Sequence, residues 1–151
     1  MDKFGAARVG PMREHLLKFA AQFGITDLAL PDRSPNTRRA LAIAELARDK
    51  GVLPKYRDLA MDAHWRRGMN LESDADLRAI AAEAGLDPDE AIAASSDPKY
   101  LGRIDARRQE ANARGVTGIP TFVIGNRGVV GCQPFEVLAE FVEAAGGAKK
   151  A

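Results

Sequence analysis

The sequence predicts a mostly α-helical protein that carries one small β-hairpin. Over most of the chain, apolar residues recur every three or four positions, which is the spacing of an amphipathic helix. Between Gly115 and Glu136 the pattern changes, because two β-branched runs flank a turn at Gly125–Gly128 that is rich in glycine. Two such runs around a short turn predict a hairpin. Alanine is abundant and aromatic residues make up 6% of the chain, which favours helices packed closely through small side chains.

Caps and glycines delimit the helices that precede the hairpin. Residues 1–10 are expected to be irregular, and helices are expected to begin near residues 11, 37, 55, 73, 87 and 97. The helix near residue 37 is predicted to bury Leu41, Ala44 and Ala47, with Ile43 and Leu46 flanking this face. The fourth helix starts at the cap Ser73 and is predicted to bury one apolar stripe. That stripe consists of Leu77, Ile80, Ala81 and Ala84.

The hairpin raises a question about what lies beside it. Phe122-Val123-Ile124 is an uninterrupted apolar run, which is typical of a strand buried on both faces. Two strands alone are only marginally stable, so a further element is expected next to this strand. The segment Ile25–Leu30, a second chain or a missing N-terminal portion would each provide it. A final amphipathic helix follows, with Pro134 placed in its first turn.

Composition excludes several classes of function. The 151 residues include 22 basic and 21 acidic side chains, so no electrostatic footprint for nucleic acid or an acidic membrane is present. No apolar run approaches a membrane span, and the residues after Met1 do not resemble a signal peptide. His15 and His64 lie on separate predicted helices, so no metal site is expected. With a single cysteine the chain has no CxxC motif and no internal disulfide, and a cytoplasmic location is expected.

Several segments resemble, in order, the DsbA family of thioredoxin-fold proteins, in the cytoplasmic subgroup near 2-hydroxychromene-2-carboxylate isomerase. The most specific are Gly-Val-Thr-Gly-Ile-Pro at 115–120 and Gly-Cys-Gln-Pro-Phe-Glu-Val-Leu at 131–138. Shorter ones lie at 8–12, 35–38, 68–71 and 81–87. The resemblance implies the C-terminal part of a thioredoxin-like α/β fold with a DsbA-type helical insertion at about 37–110. The whole chain, 1–151, would be a single truncated domain whose β-β-α portion covers about 115–146.

The same resemblance implies what is missing and where a substrate binds. Family members begin with a strand, a helix that carries the catalytic motif and a second strand, and this unit is expected to be absent here. Pro120 matches the cis-proline that faces the family's active site. The backbone N–H and C=O of Ile119 would then be free to pair with an extended substrate segment. The alternative is a proline that only starts a strand.

Cys132 is the candidate thiol, because it is expected near the N-terminus of the last helix, where a thiolate is favoured. Gly131, Cys132 and Gln133 resemble the glutaredoxin loop that holds part of glutathione, so glutathione is a possible ligand although no bound cofactor is expected. The favoured interpretation of Cys132 is nevertheless a small buried apolar group. Asn36–Arg39 is a further candidate for contact with a ligand, although a helix cap is the simpler interpretation.

Three functions therefore remain open. The first is a DsbA-family protein of the thiol–disulfide oxidoreductase lineage that is not competent in dithiol exchange alone, because such exchange needs an attacking and a resolving thiol. The second is a glutathione-dependent isomerase or transferase relative. The third is a non-catalytic module that binds a peptide or dimerises. An exposed apolar strand edge promotes association, so a homodimer or a partner chain that covers this edge is expected.

Overall fold

The computed structural model describes residues 6–30 and 35–147 of the chain. Within them the chain forms seven helices and one two-stranded antiparallel hairpin, so the predicted fold class is confirmed. The helices are α1 (Ala6–Ala21), α2 (Arg38–Asp49), α3 (Leu53–Trp65), α4 (Asp74–Ala84), α5 (Pro88–Ala94), α6 (Pro98–Ala113) and α7 (Phe135–Ala144). The strands are β1 (Thr121–Ile124) and β2 (Arg127–Val130).

The chain divides into two compact units, residues 1–105 and 106–151. The predicted limits of a helical insertion at about 37–110 and of a β-β-α portion at about 115–146 stay predictions. No helix in the described ranges is long and apolar enough to cross a bilayer.

The first unit has a continuous apolar core between α2, α3, α4, α5 and the start of α6. The predicted stripe of α4 lies in it, with each of its four members at most 1% exposed. Tyr56 of α3 is also fully buried, and its hydroxyl donates to the backbone carbonyl of Ala40 at 3.1 Å. Burial raises the pKa of the Tyr56 hydroxyl above its ordinary value. Because the buried hydroxyl has an acceptor, its polar end costs little in this core.

Side-chain caps fix the starts of two helices in this unit. Ser73 Oγ accepts the backbone N–H of Asp76 at 3.4 Å, which confirms Ser73 as the cap of α4. Asp87 Oδ1 accepts the N–H of Glu90 at 2.8 Å and caps α5, with Pro88 as its first residue. These bonds satisfy N–H groups that have no partner inside the helix. Gly85 ends α4 at φ +90°, a left-handed conformation that suits glycine.

A cluster of charges joins α2 to α6. Asp49 accepts from Lys99 Nζ at 3.0 Å and from Arg103 Nη1 at 2.7 Å. The hydrogen bond from Arg103, and after it that from Lys99, lowers the pKa of the Asp49 carboxyl to about 2. Both cations also lie over the ring of Tyr100, at 4.5 Å and 5.5 Å from its centroid. The cluster therefore holds the first turns of α6 against the end of α2.

Two predictions for this unit were wrong, and one open alternative is not realised. Helix α1 begins at Ala6 and contains Pro11, so residues 6–10 are not irregular, while residues 1–5 lie outside the described residues. Residues 25–30, one of three elements left open as the neighbour of the hairpin, form no strand; the N–H of Ile25 donates to the carbonyl of Ala20 at 3.1 Å and that of Ala29 to the carbonyl of Trp65 at 2.6 Å. In α2 the buried stripe is centred on Ile43 and Leu46, while Leu41 is 47% exposed. Apolar residues surround most of α2, so spacing alone did not decide which stripe faces the core.

In the second unit, β1 and β2 pair from Thr121 opposite Val130 to Ile124 opposite Arg127. The turn contains two residues, Gly125 and Asn126, rather than the predicted four. Gly125 has φ +61° and Asn126 has a negative φ, which is the pattern of a type II′ turn with glycine in its first position. Because a two-residue loop of this type matches the strand twist, Arg127 belongs to β2.

The strand β1 is exposed in the described chain, and the further element expected beside it stays a prediction. Phe122, Val123 and Ile124 are between 36% and 42% exposed, and no described residue from 106 to 147 is buried. Helix α7 also presents exposed apolar residues, with Phe135 at 75%. The described part of this unit therefore keeps a large share of its apolar surface in contact with solvent.

Candidate functional site

The loop that enters β1 is held by two hydrogen bonds to its own unit. The Ile119–Pro120 peptide bond is cis, as expected from the sequence. The carbonyl of Pro120 accepts the N–H of Gly131 at 2.8 Å, which extends the β1–β2 ladder by one pair. Thr121 Oγ1 donates to the carbonyl of Gly118 at 2.6 Å and closes the loop from the other side. Both residues that flank Ile119 are thus fixed by neighbouring backbone.

Ile119 itself is exposed to solvent and has no hydrogen-bond partner in the described chain. Its side chain is 94% exposed, more than any other large apolar residue in the described chain. Within the described residues, neither its backbone N–H nor its C=O has a hydrogen-bond partner. An apolar side chain gains about 1.5–3 kcal/mol when it is fully covered, and free backbone groups gain a partner in the same event. Ile119 therefore presents an apolar side chain and unpaired backbone groups to solvent in the described chain.

The outer edge of β1 continues the row of free backbone groups that Ile119 begins. In an antiparallel ladder, hydrogen-bonded pairs alternate with pairs that do not bond. The bond between Gly131 and Pro120 sets this alternation, so Phe122 and Ile124 direct their N–H and C=O groups towards β2. Thr121 and Val123 direct theirs away from it, and no further strand covers them in the described chain. Every second residue from Ile119 to Val123 thus offers a donor and an acceptor at one open edge.

Gly131, Cys132 and Gln133 connect β2 to α7. The N–H of Gly131 donates to the carbonyl of Pro120, and Gln133 Nε2 donates to the carbonyl of Val130 at 2.8 Å. Gly131 has φ +92°, which a residue with a side chain would adopt only with strain. Gly131 and Gln133 therefore shape the loop, and part of their hydrogen-bonding capacity is already occupied.

Cys132 is exposed, so the expectation of a small buried group was wrong. Helix α7 begins at Phe135 with Pro134 as its N-cap, whereas the sequence placed Pro134 inside the first turn. Cys132 thus lies two residues before the cap, and the influence of the helix dipole falls off beyond the first turn. The thiol is accessible to a small disulfide or to the sulfur of a second chain.

A cavity of about 340 Å³ lies beside the hairpin within this unit. Its walls include Thr121, Val123 and Val130, which share one face of the hairpin because paired and alternate residues point the same way. Arg114 and Arg127 also line it, and no carboxylate does. These polar residues were not singled out in the sequence. The one available signal was the alternation along β1, which places Thr121 and Val123 on a common face.

The candidate segment Asn36–Arg39 acts as a structural connection in the first unit. Arg38 makes a two-pronged contact with Asp105, at 2.6 Å and 2.8 Å. Arg39 contacts Ser95 Oγ, the carbonyl of Glu72 and the carboxylate of Asp74. A second cavity of about 270 Å³ lies among these residues, but both guanidinium groups already face carboxylates.

The two histidines, His15 and His64, lie on different helices, α1 and α3. No cluster of three or more potential metal ligands is present in the described ranges. His64 packs edge-on against Trp65, with ring centroids 4.6 Å apart, and its Nδ1 is buried without a hydrogen bond in the described chain. Burial lowers the pKa of the His64 imidazole. Such an environment suits a neutral packing residue.

The helices, the hairpin and the cis-proline loop are together features of the thioredoxin-fold class, and a comparison with known protein families supports this class. The family model of the DSBA-like thioredoxin domain matches residues 5–143, and the chain belongs to this family. It is accordingly a thioredoxin-fold protein of an oxidoreductase family. No curated protein matches the chain. The more specific resemblance to the isomerase subgroup stays a prediction.

Proposed function

We propose that this chain provides the substrate-docking surface of a DSBA-like protein and is not competent in dithiol exchange alone. In this proposal Ile119, Pro120 and the outer edge of β1 hold an extended peptide segment next to the Gly131–Gln133 loop. The observation that carries the proposal is Ile119, which combines 94% exposure with backbone groups that have no partner in the described chain.

Strand addition explains the arrangement of the free groups. A peptide in β conformation offers a donor and an acceptor on every second residue along one edge. Ile119, Thr121 and Val123 offer the matching set, spaced two residues apart. Main-chain bonds of this kind give affinity with little dependence on sequence, and the neighbouring pockets provide selectivity.

Binding of N-methylated peptides tests the docking proposal. The probe is a fluorescein-labelled heptapeptide of alternating valine and threonine, measured by fluorescence anisotropy. Two methylated versions of this peptide are compared, one N-methylated on the amides of alternate residues and the other on the amides of the intervening residues. Because alternate amides of a strand face the same edge, only one of the two versions loses the N–H donors that face β1. We expect one methylated peptide to bind like the parent and the other to lose binding. Equal binding of both would show that main-chain pairing is not used.

The proposed lack of dithiol exchange rests on the single thiol of the chain. Disulfide reduction by a dithiol enzyme ends when a second thiol of the same protein releases the mixed disulfide. We expect insulin reduction by dithiothreitol to proceed at the uncatalysed rate with this chain and with its Cys132→Ser variant. A rate above background that survives Cys132→Ser would overturn this part of the proposal.

The exposure of Cys132 supports a second candidate function, which is one-thiol chemistry with glutathione. The Cys132 thiolate would attack oxidised glutathione, form a mixed disulfide and release one glutathione thiolate, so electrons and atoms balance. Intact-mass spectrometry after incubation with oxidised glutathione measures this adduct. We expect one adduct that Cys132→Ser abolishes and that Gln133→Ala weakens if Gln133 positions the tripeptide. An unchanged rate in Gln133→Ala would leave Cys132 as an accessible thiol without a glutathione site.

We also propose that a second copy covers the β1 edge when no peptide is bound. An uncovered apolar edge strand favours pairing with another chain, and β1 carries no charged residue that would oppose pairing with its own copy. Sedimentation velocity over a range of concentrations tests this, with Val123→Lys as the edge-blocking variant. A wild-type chain that stays monomeric at all concentrations would refute it.

A further inference from the structure

His64 occupies the last turn of α3, between two residues that hold neighbouring segments. The carbonyl of Ala63 accepts the N–H of Met69 at 2.8 Å, in the loop that follows the helix. The carbonyl of Trp65 accepts the N–H of Ala29 at 2.6 Å, in the segment that follows α1. His64 therefore lies next to both backbone contacts that fix other parts of the first unit to the end of α3.

The surroundings of the His64 ring suit a neutral imidazole. Its Nδ1 is buried without a hydrogen-bond partner in the described chain, and the ring packs edge-on against Trp65. A neutral ring with its proton on Nε2 leaves only an unpaired acceptor at Nδ1. Protonation would place a charged N–H donor at this buried position without an acceptor, which is costly. The protonated ring is therefore better accommodated in water than beside Trp65.

The end of the helix offers little compensation for this charge. A helix C-terminus ordinarily favours a cation through its free carbonyls. In α3, three of the last four carbonyls already accept backbone N–H groups. Those of Ala63 and Trp65 are described above, and that of Asp62 accepts from Arg66 at 2.9 Å and from Arg67 at 3.1 Å.

The carboxylates near α3 are also engaged. Helices α2 and α4 pack against α3, and residues 25–30 contact its end. Every carboxylate of these four elements has a cationic or N–H partner. The partners are Asp27 with Arg66, Glu45 with Arg48, Asp49 with Arg103, Asp58 with Arg57, Asp62 with Arg66 and Arg67, Asp74 with Arg39, Asp76 with the N–H of Asn70, and Glu83 with Arg67. The remaining charged groups of these elements are the cations Arg38, Lys55 and Arg78, which would oppose a further positive charge. The Tyr56 hydroxyl already donates to a backbone carbonyl.

We propose that protonation of His64 opens the end of α3 and releases the segment around Ala29 from Trp65, so that this part of the fold responds to mild acidification. The open state gives the imidazolium access to water. Because burial lowers the pKa of His64 from 6.5 in the closed state, the open state binds the proton more tightly. The closed state is therefore fully stable above about pH 6.5 and loses stability as the pH falls from there towards the lowered pKa. This response lies in the first unit and is independent of the docking function proposed for the hairpin.

The fluorescence of Trp65 tests the response on the full chain, because Trp65 is its one tryptophan. Tryptophan emission shifts to longer wavelength when water reaches the indole, and emission is recorded between about pH 8 and about pH 5, where histidine titrates. We expect a shift with a midpoint below 6.5 that is absent in His64→Phe and in His64→Gln, since neither side chain takes up a proton. His15→Phe is the control, because His15 is exposed on α1, and it should retain the shift. A shift that survives both His64 substitutions, or no shift in the wild-type chain, would overturn the proposal.

Amide hydrogen exchange measures the release of the segment around Ala29. The protection factor of the Ala29 amide should fall by about three- to tenfold between about pH 7 and about pH 5.5, because opening is coupled to the uptake of one proton. It should not change in His64→Gln. The amide of Leu86, which donates to the carbonyl of Ala81 at the end of α4, is the internal control and should keep its protection. Constant protection of Ala29, or an equal fall at Leu86, would refute a local opening at the end of α3.

Discussion

Replacing Ile119 separates the proposed docking role from a role in folding. Ile119→Ala removes three carbon atoms from a side chain that is 94% exposed in the free protein. Each buried methylene contributes about 0.8 kcal/mol, so a peptide that covers the whole side chain would lose up to about 2.4 kcal/mol of binding free energy. Partial coverage and the costs of association lower this value. We therefore expect the dissociation constant to rise by about five- to fiftyfold, since 1.4 kcal/mol is one factor of ten.

The same substitution should leave the stability of the chain almost unchanged. An exposed side chain removed without any lost contact changes the free energy of unfolding by less than about 0.5 kcal/mol. Fluorescence anisotropy with the valine–threonine heptapeptide measures the binding, and urea unfolding followed by circular dichroism measures the stability. Met61→Ala is the control, because Met61 is 56% exposed on α3 in the other unit. If Ile119→Ala binds the peptide as well as Met61→Ala does, Ile119 is not part of the docking surface.

Three further predictions concern the first unit. The Asp49 carboxyl has a lowered pKa of about 2, so its stabilising contribution is present above its unfolded value of 3.8 and is lost as the pH falls towards 2. Urea titrations at several pH values should show a shallower acid loss for Asp49→Asn, and an identical slope would refute this assignment. Ile80→Ala creates a cavity at a fully buried position and should cost about 2–5 kcal/mol in urea unfolding; a cost below that of Met61→Ala would contradict the position of the core. Asp87→Ala removes the cap of α5 and should cost about 1 kcal/mol, while Asp87→Asn should recover most of it; equal losses would argue against capping.

Local patterns predicted the elements well wherever periodicity and caps agreed. The α4 stripe and its Ser73 cap were both correct, because a polar cap, an apolar stripe and the closing Gly85 all mark the same helix. In α2 the sequence offered two overlapping apolar stripes, and only packing against α3 and α5 selects the one around Ile43. The number of residues in the hairpin turn was also wrong, since two glycines near the turn allowed both a two-residue and a four-residue loop.

The candidate site was predictable only in part. The cis bond before Pro120 was expected from the resemblance and is present. The exposure of Cys132 was not, since a lone cysteine in an apolar context reads as a buried group. Arg114 and Arg127 are 13 positions apart in the sequence, and they meet at one cavity because the hairpin folds back beside the end of α6. That type of proximity depends on tertiary structure and leaves no periodic signal.

Residue-resolved hydrogen exchange of the β1 amides tests the docking surface most directly. It is measured by NMR on dilute protein, with and without the valine–threonine heptapeptide. The N–H groups of Thr121 and Val123 should exchange freely without peptide and become protected when it binds, while those of Phe122 and Ile124, which face β2, should be protected in both states. Protection of Thr121 and Val123 that does not change on peptide binding would contradict an open docking edge at β1.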